Sequence, residues 1–143
     1  MLRAKHIMHA PVVTFFAEQT LPLAEDVMHF KHLRHLPVVD DEGRLVGLVS
    51  HRDLLRAQIS SLSGLSDAQR RARQEDVRVN QIMTRDVWTV GPETEASVVA
   101  RTLLDHKFGC LPVVDRDERL VGIVTERDFI KFAIDRLDDV GPD

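Results

Sequence analysis

Residues 7–56 of this 143-residue chain align with residues 82–131 without a gap. Ile7-Met8 recurs as Ile82-Met83, and Leu36-Pro37-Val38-Val39-Asp40 as Leu111-Pro112-Val113-Val114-Asp115. Arg44-Leu45-Val46-Gly47 recurs as Arg119-Leu120-Val121-Gly122, and Arg52-Asp53 as Arg127-Asp128, always 75 residues on. The chain is therefore two copies of one supersecondary unit, and its fold must satisfy the same element order twice. The copies are expected to span 1–59 and 78–137, with a linker at 60–77 and an acidic tail at 138–143.

Within each copy, Val12–Phe15 and Val87–Val90 are short β-branched and aromatic runs, expected as strands. Helices are expected over 21–30 and 95–106. In the first, Leu23, Ala24, Val27, Met28 and Phe30 recur at helical spacing on one side, with Glu25, Asp26 and His29 opposite. Leu36–Val39 and Leu45–Ser50 are compact apolar runs split by Asp40-Asp41-Glu42-Gly43, which reads as a hairpin turn. The second copy has Asp115-Arg116-Asp117-Glu118 there. Because Glu118 resists a positive φ, a different turn type is expected. A last helix begins near His51 or Glu126. The expected fold is α/β: two β-α-β-β-α units related by a pseudo-twofold axis and packed through their sheets.

Between the copies, Ser60-Ser61-Leu62-Ser63-Gly64-Leu65 is a small, polar breaker segment. Ser66 and Gln69 have the spacing of a capping box that opens a polar helix, Asp67 to Glu75. Arg70, Arg71 and Arg73 make that helix locally basic, read as a solvated linker face.

Composition narrows the function classes. Cys110 is the single cysteine, so neither an internal disulfide nor a Cys-rich zinc site is possible. No apolar run approaches the ~20 residues that span a bilayer. Met1-Leu2-Arg3-Ala4-Lys5-His6 has no apolar signal core behind it. A cytoplasmic protein without a membrane role is expected. The formal charge of -4 disfavours a nucleic-acid partner.

The residues with the most chemistry are Gly47-Leu48-Val49-Ser50-His51-Arg52-Asp53 and Gly122-Ile123-Val124-Thr125-Glu126-Arg127-Asp128. An ionised Asp accepts hydrogen bonds from both hydroxyls of a ribose diol. A Ser or Thr hydroxyl at a helix start suits a phosphate oxygen, and the strand glycine permits close approach of a ligand or a neighbouring backbone. Pro37 and Pro112, with Leu36 and Leu111, would wall an apolar slot for a flat base. The same Ser/Thr-x-x-Asp spacing is that of a helix-capping box, so cap and ligand site are both open readings. Arg52 and Arg127 sit in the first helical turn, where the dipole disfavours a cation by ~0.3–1 kcal/mol. Their recurrence suggests an anionic partner.

Two copies that each end Leu-Val-Gly-hydrophobic-Val-Ser/Thr-x-Arg-Asp resemble a pair of cystathionine β-synthase (CBS) domains, together a Bateman module. The resemblance covers nearly the whole chain apart from linker and tail. It implies a sensor that binds an adenosine-containing ligand such as AMP, ADP, ATP, S-adenosylmethionine or NAD, requires no cofactor, and reports occupancy to a separate effector protein. It places Val12, Thr14, Arg34, His35, Pro37, Ser50, Arg52, Asp53, Thr84, Val87, Thr89, Pro112, Thr125, Arg127 and Asp128 around the ligand. The family's basic residues before the Leu-Pro pair reach phosphates. Here the first copy has Arg34-His35 and the second Gly109-Cys110, so unequal sites are implied. The first copy also has Phe16-Ala17 where the second has the more family-like Gly91-Pro92.

Other candidates carry less. His29, His32 and His35 recur every three residues, a spacing that drifts around a helix and reads as a solvated face before it reads as a metal site. Cys110 reads as a pocket-wall or core residue, and Trp88 as strand packing. No catalytic set is recognisable, so no enzymatic activity is expected. Phe129, Ile130, Phe132, Ala133, Ile134 and Leu137 extend beyond a one-sided stripe on the last helix. That helix needs a second surface, either the other repeat or the partner subunit of a homodimer. The alternative function is a ligand-free interaction module whose motifs only cap helices.

Overall fold

A computed structural model describes residues 1–57 and 64–140. The elements run α1 (Ala4–Ile7), α2 (Leu21–Lys31), β1 (His35–Val39), β2 (Leu45–Ser50), α3 (His51–Ala57), α4 (Asp67–Gln74), α5 (Ala96–His106), β3 (Cys110–Val114), β4 (Leu120–Thr125) and α6 (Glu126–Asp139). A short 3-10 turn at Val79–Gln81 stands in the second copy where α1 stands in the first. The chain is thus two repeats, each with strands and helices. Its contacts divide it into two compact units: Val13–Val87, and Met1–Val12 together with Trp88–Asp143. The opening residues of each copy therefore pack with the hairpin of the other copy.

Each hairpin is antiparallel, with Val38 opposite Gly47 and Val113 opposite Gly122, and a bulge follows Val38 and Val113. The expected strands Val12–Phe15 and Val87–Val90 shrink to single bridging residues, Phe15 beside Val38 and Val90 beside Val113, both parallel. The reason is chemical. Phe15 N–H donates to the Pro37 carbonyl at 2.9 Å, and Val39 N–H donates to the Phe15 carbonyl at 2.8 Å. One more rung toward Val13 would need an N–H from Pro37, which proline lacks. Val90 meets the same limit at Pro112.

The two hairpin turns have the same geometry, contrary to the expectation from Glu118. Asp40 Oδ1 accepts the Glu42 and Arg44 N–H groups, and Asp115 Oδ1 accepts those of Asp117 and Arg119, each at 2.9 Å. Gly43 has φ +80° and Glu118 φ +64°. The aspartate and the closing backbone bonds hold Glu118 left-handed despite a cost of ~1–2 kcal/mol.

In α2 the buried stripe is Leu21, Pro22, Ala24 and Met28, whereas Leu23 and Phe30, expected on the apolar side, are exposed. Both α2 and α5 end on a left-handed residue, His32 and Lys107, after which Leu33 and Phe108 donate back to Met28 and Leu103 carbonyls at 3.0 and 3.1 Å. This is a Schellman-type stop made without glycine. In the linker, Ser66 and Gln69 form the expected capping box on α4, with Ser66 N–H donating to Gln69 Oε1 at 2.9 Å. Arg71 reaches Asp26 at 3.3 Å. Ser60–Ser63 of the expected breaker, and 141–143 of the tail, lie outside the described residues.

Two cores result. One gathers Phe15, Leu21, Met28, Leu36, Val38, Val49, Leu54 and Val79; the other Ala4, Val99, Leu103, Leu111, Val113 and Val124. Lys5 Nζ donates to Glu93 Oε1 at 2.7 Å, which helps tie α1 to its unit and holds the Glu93 carboxyl below its ordinary value.

Candidate ligand site at the hairpin-to-helix junctions

The second hairpin strand of each unit runs straight into a helix, β2 into α3 and β4 into α6. Buried Val49 and Leu54 flank the first junction, which turns Ser50 and Asp53 toward partial exposure. Ser50 N–H donates to Asp53 Oδ2 at 2.8 Å, and Asp53 N–H donates to Ser50 Oγ at 3.1 Å. In the other unit Thr125 N–H donates to Asp128 Oδ2 at 2.8 Å, Asp128 N–H to Thr125 Oγ1 at 3.3 Å, and the Thr125 hydroxyl to Asp128 Oδ2 at 3.1 Å. Both motifs are therefore complete reciprocal caps. Capping engages Oδ2 and leaves the remaining lone pairs of each carboxylate for other donors.

The basic pair belongs to the first junction. His35 is directly opposite Ser50 in the hairpin, and the Arg34 carbonyl accepts the His51 N–H at 2.7 Å. In the second, Cys110 is opposite Thr125 and the Gly109 carbonyl accepts the Glu126 N–H at 3.4 Å. Arg34, Arg52 and Arg127 are exposed. Thr14, Arg34, His35, Pro37, Ser50, Arg52, Asp53, Thr84 and Val87 all belong to the unit Val13–Val87. Val12, Thr89, Pro112, Thr125, Arg127 and Asp128 belong to the other unit. Thr84 and Thr89 are exposed, and Val12, Thr14 and Val87 half-buried. Pro37 and Pro112 are fully buried, as are Leu36 and Leu111, so they offer no exposed surface to a base.

The motif glycines have a clear occupant. A Cβ on Gly47 would overlap Met83 Sδ, and one on Gly122 would overlap Met8 Sδ. The close approach is made by the opening segment of the other copy. The next residue of that segment extends the hairpin: Thr84 bridges Leu48, and His9 bridges Ile123, both antiparallel. His9 was missed by sequence reasoning. Its Nδ1 lies 3.2 Å from Asp128 Oδ2. It is the repeat partner of Thr84, which the family resemblance did single out, so the 75-residue offset held the signal.

Among the described residues no group of three or more His, Cys, Asp or Glu side chains could hold a metal, so His29, His32 and His35 do not form such a site. Cys110 is buried, and burial pushes its thiol up to about 12, which removes it as a nucleophile at neutral pH. Trp88 is not packed into a strand: it is 54% exposed, with its ring 4.4 Å from that of His106. On α6, Phe129 packs against the core while Ile130, Ile134 and Leu137 stay exposed. No helix among the described residues is long and apolar enough to cross a membrane.

With this geometry in place, comparison with known proteins is direct. The CBS domain family model matches residues 4–60 and 79–135. Solved structures similar to the chain include the CBS-pair protein CBSX2 from Arabidopsis thaliana (28% identity, TM-score 0.82, covering 97% of this chain and 98% of that one). CBSX2 in complex with AMP gives 29% identity and a TM-score of 0.80 over 95% of this chain and 98% of that one. The CBS domain pair of protein MJ0100 in complex with 5′-methylthioadenosine and S-adenosyl-L-methionine gives 26% and 0.78, again over 95% and 98%. The chain spans 41% of an uncharacterised protein and 23% of an inosine-5′-monophosphate dehydrogenase, both from Methanocaldococcus jannaschii, at 32% and 29% identity over 90% of this chain. It spans 95% of a CBS domain-containing protein of Dictyostelium discoideum, at 29% identity over 96% of this chain. Both copies match the family model, and together they make up most of the sequence: the chain belongs to the CBS domain family.

Proposed function

We propose that the chain is a regulatory module that binds an adenosine-containing ligand at its hairpin-to-helix junctions and transmits occupancy to a separate effector protein. The observation that carries this reading is the Ser50–Asp53 junction. The capping bond uses Asp53 Oδ2, and the rest of a part-exposed carboxylate stays available to a ribose diol beside exposed Arg34 and Arg52. Thr14 and Thr84 contribute from the same unit. The solved neighbours in complex with AMP and with S-adenosyl-L-methionine support the ligand class. ADP, ATP and NAD share the adenosine end and belong to the same class. The role is binding, not catalysis, in a reducing cytoplasmic setting where buried Cys110 remains an unpaired thiol.

Transmission works by differential affinity: a ligand shifts a packing equilibrium only as far as it prefers one arrangement. Exposed Ile130, Ile134 and Leu137 on α6 support a homodimer as the element shifted. Ile134→Asp is expected to halve the mass seen by light scattering with the far-ultraviolet circular dichroism unchanged. An unchanged mass, or a native monomer, rejects the dimer. The completed caps favour one competing reading, a ligand-free interaction module. A thermal-shift panel of AMP, ADP, ATP, S-adenosylmethionine and NAD separates the two. At a hundred times Kd a ligand specific for the native state adds about 2.7 kcal/mol. That should raise Tm by roughly 5–10 °C. A panel without any shift at millimolar concentration favours the ligand-free module.

A further inference from the structure

The carboxylate of the second motif is already engaged from within the chain. His9 is fixed on the edge of β4 by two backbone bonds: its N–H donates to the Ile123 carbonyl at 3.0 Å, and its carbonyl accepts the Ile123 N–H at 3.2 Å. That pairing carries the imidazole to Asp128, where Nδ1 lies 3.2 Å from Oδ2; because an ionised carboxylate only accepts, the tautomer that suits this contact has its N–H on Nδ1. The same oxygen accepts the Thr125 N–H at 2.8 Å and the Thr125 hydroxyl at 3.1 Å. Three donors converge on one carboxylate oxygen, although the group offers only about four lone-pair sites over both oxygens. With the imidazole against it, the Asp128 side chain keeps 15% of its exposure.

The first motif is built differently at the same place. Thr84 takes the position of His9, with Thr84 N–H donating to the Leu48 carbonyl and Leu48 N–H to the Thr84 carbonyl, both at 2.9 Å. The backbone frame is thus the same and only the side chain differs. Among the described residues Asp53 Oδ2 accepts the Ser50 N–H alone.

We infer that His9 is a specificity-determining residue that acts as an internal occupant of the Asp128 carboxylate, making the second site the weaker one for ribose-bearing ligands. The inference rests on the function proposed above, because it takes the ligand to be an adenosine compound whose diol needs free acceptor positions. At Asp53 the diol meets unspent acceptors. At Asp128 Oδ1 is as open as at Asp53, but a diol that spans both oxygens must displace the imidazole N–H from Oδ2, giving up a hydrogen bond to a charged acceptor that is worth roughly twice a neutral one. His9 is held in register by its backbone, so the ring can swing aside without unpairing the segment. Its removal therefore alters the site and spares the fold.

Adenosine is the informative probe. It lacks a phosphate, so Arg34 and His35 contribute little to any difference between the sites, and what remains is the ribose end. Adenosine and AMP are titrated calorimetrically into the wild-type protein, His9→Thr, Thr84→His and Thr84→Ala. Two unequal adenosine sites are expected in the wild type. His9→Thr should tighten the weaker site about five- to tenfold and leave the stronger within about twofold. Thr84→His should weaken the stronger site by a similar factor, and by more than Thr84→Ala does, because the imidazole adds an occupant where alanine only removes a hydroxyl. Asp128→Asn identifies which site is which. Equal adenosine affinities in the wild type, or a His9→Thr protein with wild-type affinities, would overturn the role of His9 while leaving nucleotide binding intact. No binding of either compound to any of the proteins would overturn this inference, and a thermal-shift panel that is also silent for ADP, ATP, S-adenosylmethionine and NAD would overturn the proposed function with it.

Discussion

Gly47→Ala is a one-carbon change that probes how each hairpin receives the opening segment of the other copy. A Cβ there would overlap Met83 Sδ and lie 2.9 Å from Met83 Cγ and 3.1 Å from the Thr84 carbonyl oxygen. The sulfur can rotate away, because methionine is flexible. The carbonyl cannot yield so easily, since it accepts the Leu48 N–H at 2.9 Å and is half of the bridge that seats the segment. Overpacking of this kind costs about 1–3 kcal/mol. At about 2–4 °C per kcal/mol for a chain of this size, Tm should fall by roughly 2–12 °C. The decisive comparison is a double-mutant cycle with Met83→Ala, followed in urea. Truncating Met83 removes the two closest atoms, so the alanine methyl should then occupy space it previously had to force. A favourable coupling of at least about 1 kcal/mol is expected. The pair Gly122→Ala and Met8→Ala should behave alike, with Met8 Cγ at 2.9 Å and Cβ at 3.2 Å. Additive costs in both cycles, or a neutral Gly47→Ala, would refute the packing of the methionines against the motif glycines.

Glu118→Gly should stabilise the protein by about 1 kcal/mol, because it removes left-handed strain that Gly43 avoids in the other turn; a lower midpoint in urea would show that Glu118 is held by contacts rather than strained. Cys110 keeps its proton in the folded state up to about 12, while the unfolded thiol titrates near its ordinary value of 9.0. Stability linked to this group is therefore complete below pH 9 and is lost as pH rises toward 12, amounting to about 1 kcal/mol by pH 10. Cys110→Val should flatten that part of the pH profile, and a thiol reagent at pH 8 should react only at the rate of unfolding. Rapid modification of the native protein would contradict the burial.

The repeat made much of the fold legible, because two independent copies of a hairpin and helix start had to read alike. The runs Leu36–Val39 and Leu45–Ser50, the turns between them and the onset of α3 and α6 all follow from alternation, turn residues and caps. Where the reading went astray, a local preference met a partner that the sequence does not name. Val12–Phe15 has strand composition, but Pro37 in the adjacent strand cannot donate the next rung. Glu118 resists positive φ, but Asp115 captures the two amides that close the turn. Leu23 and Phe30 are apolar on a helix whose buried stripe is set by Leu21, Ala24 and Met28.

The candidate site divides in the same way. The Ser50–Asp53 and Thr125–Asp128 spacing announced a cap, and both caps form. The exchange of opening segments was hidden for a reason inherent to duplication. Met8 and Met83 see nearly identical hairpins, so local chemistry does not say which copy each joins. His9 stayed hidden with them: on the sequence it is 119 residues from Asp128.

The central claim is that a motif carboxylate grips a ribose, and Asp53→Asn crossed with a deoxy ligand tests it most directly. Asparagine keeps the shape of the side chain and can still accept the Ser50 N–H, so the cap should survive at a cost of at most ~1 kcal/mol. AMP and 2′-deoxy-AMP are titrated into the wild-type and Asp53→Asn proteins by calorimetry. If the carboxylate holds both hydroxyls, losing charge-assisted bonds should weaken AMP at that site by at least about tenfold. The deoxy ligand should lose clearly less, because one of its two bonds is already absent, so the two changes should be non-additive. Equal losses for both ligands, or an AMP affinity indifferent to Asp53→Asn, would mean that Asp53 caps its helix and does not touch the nucleotide.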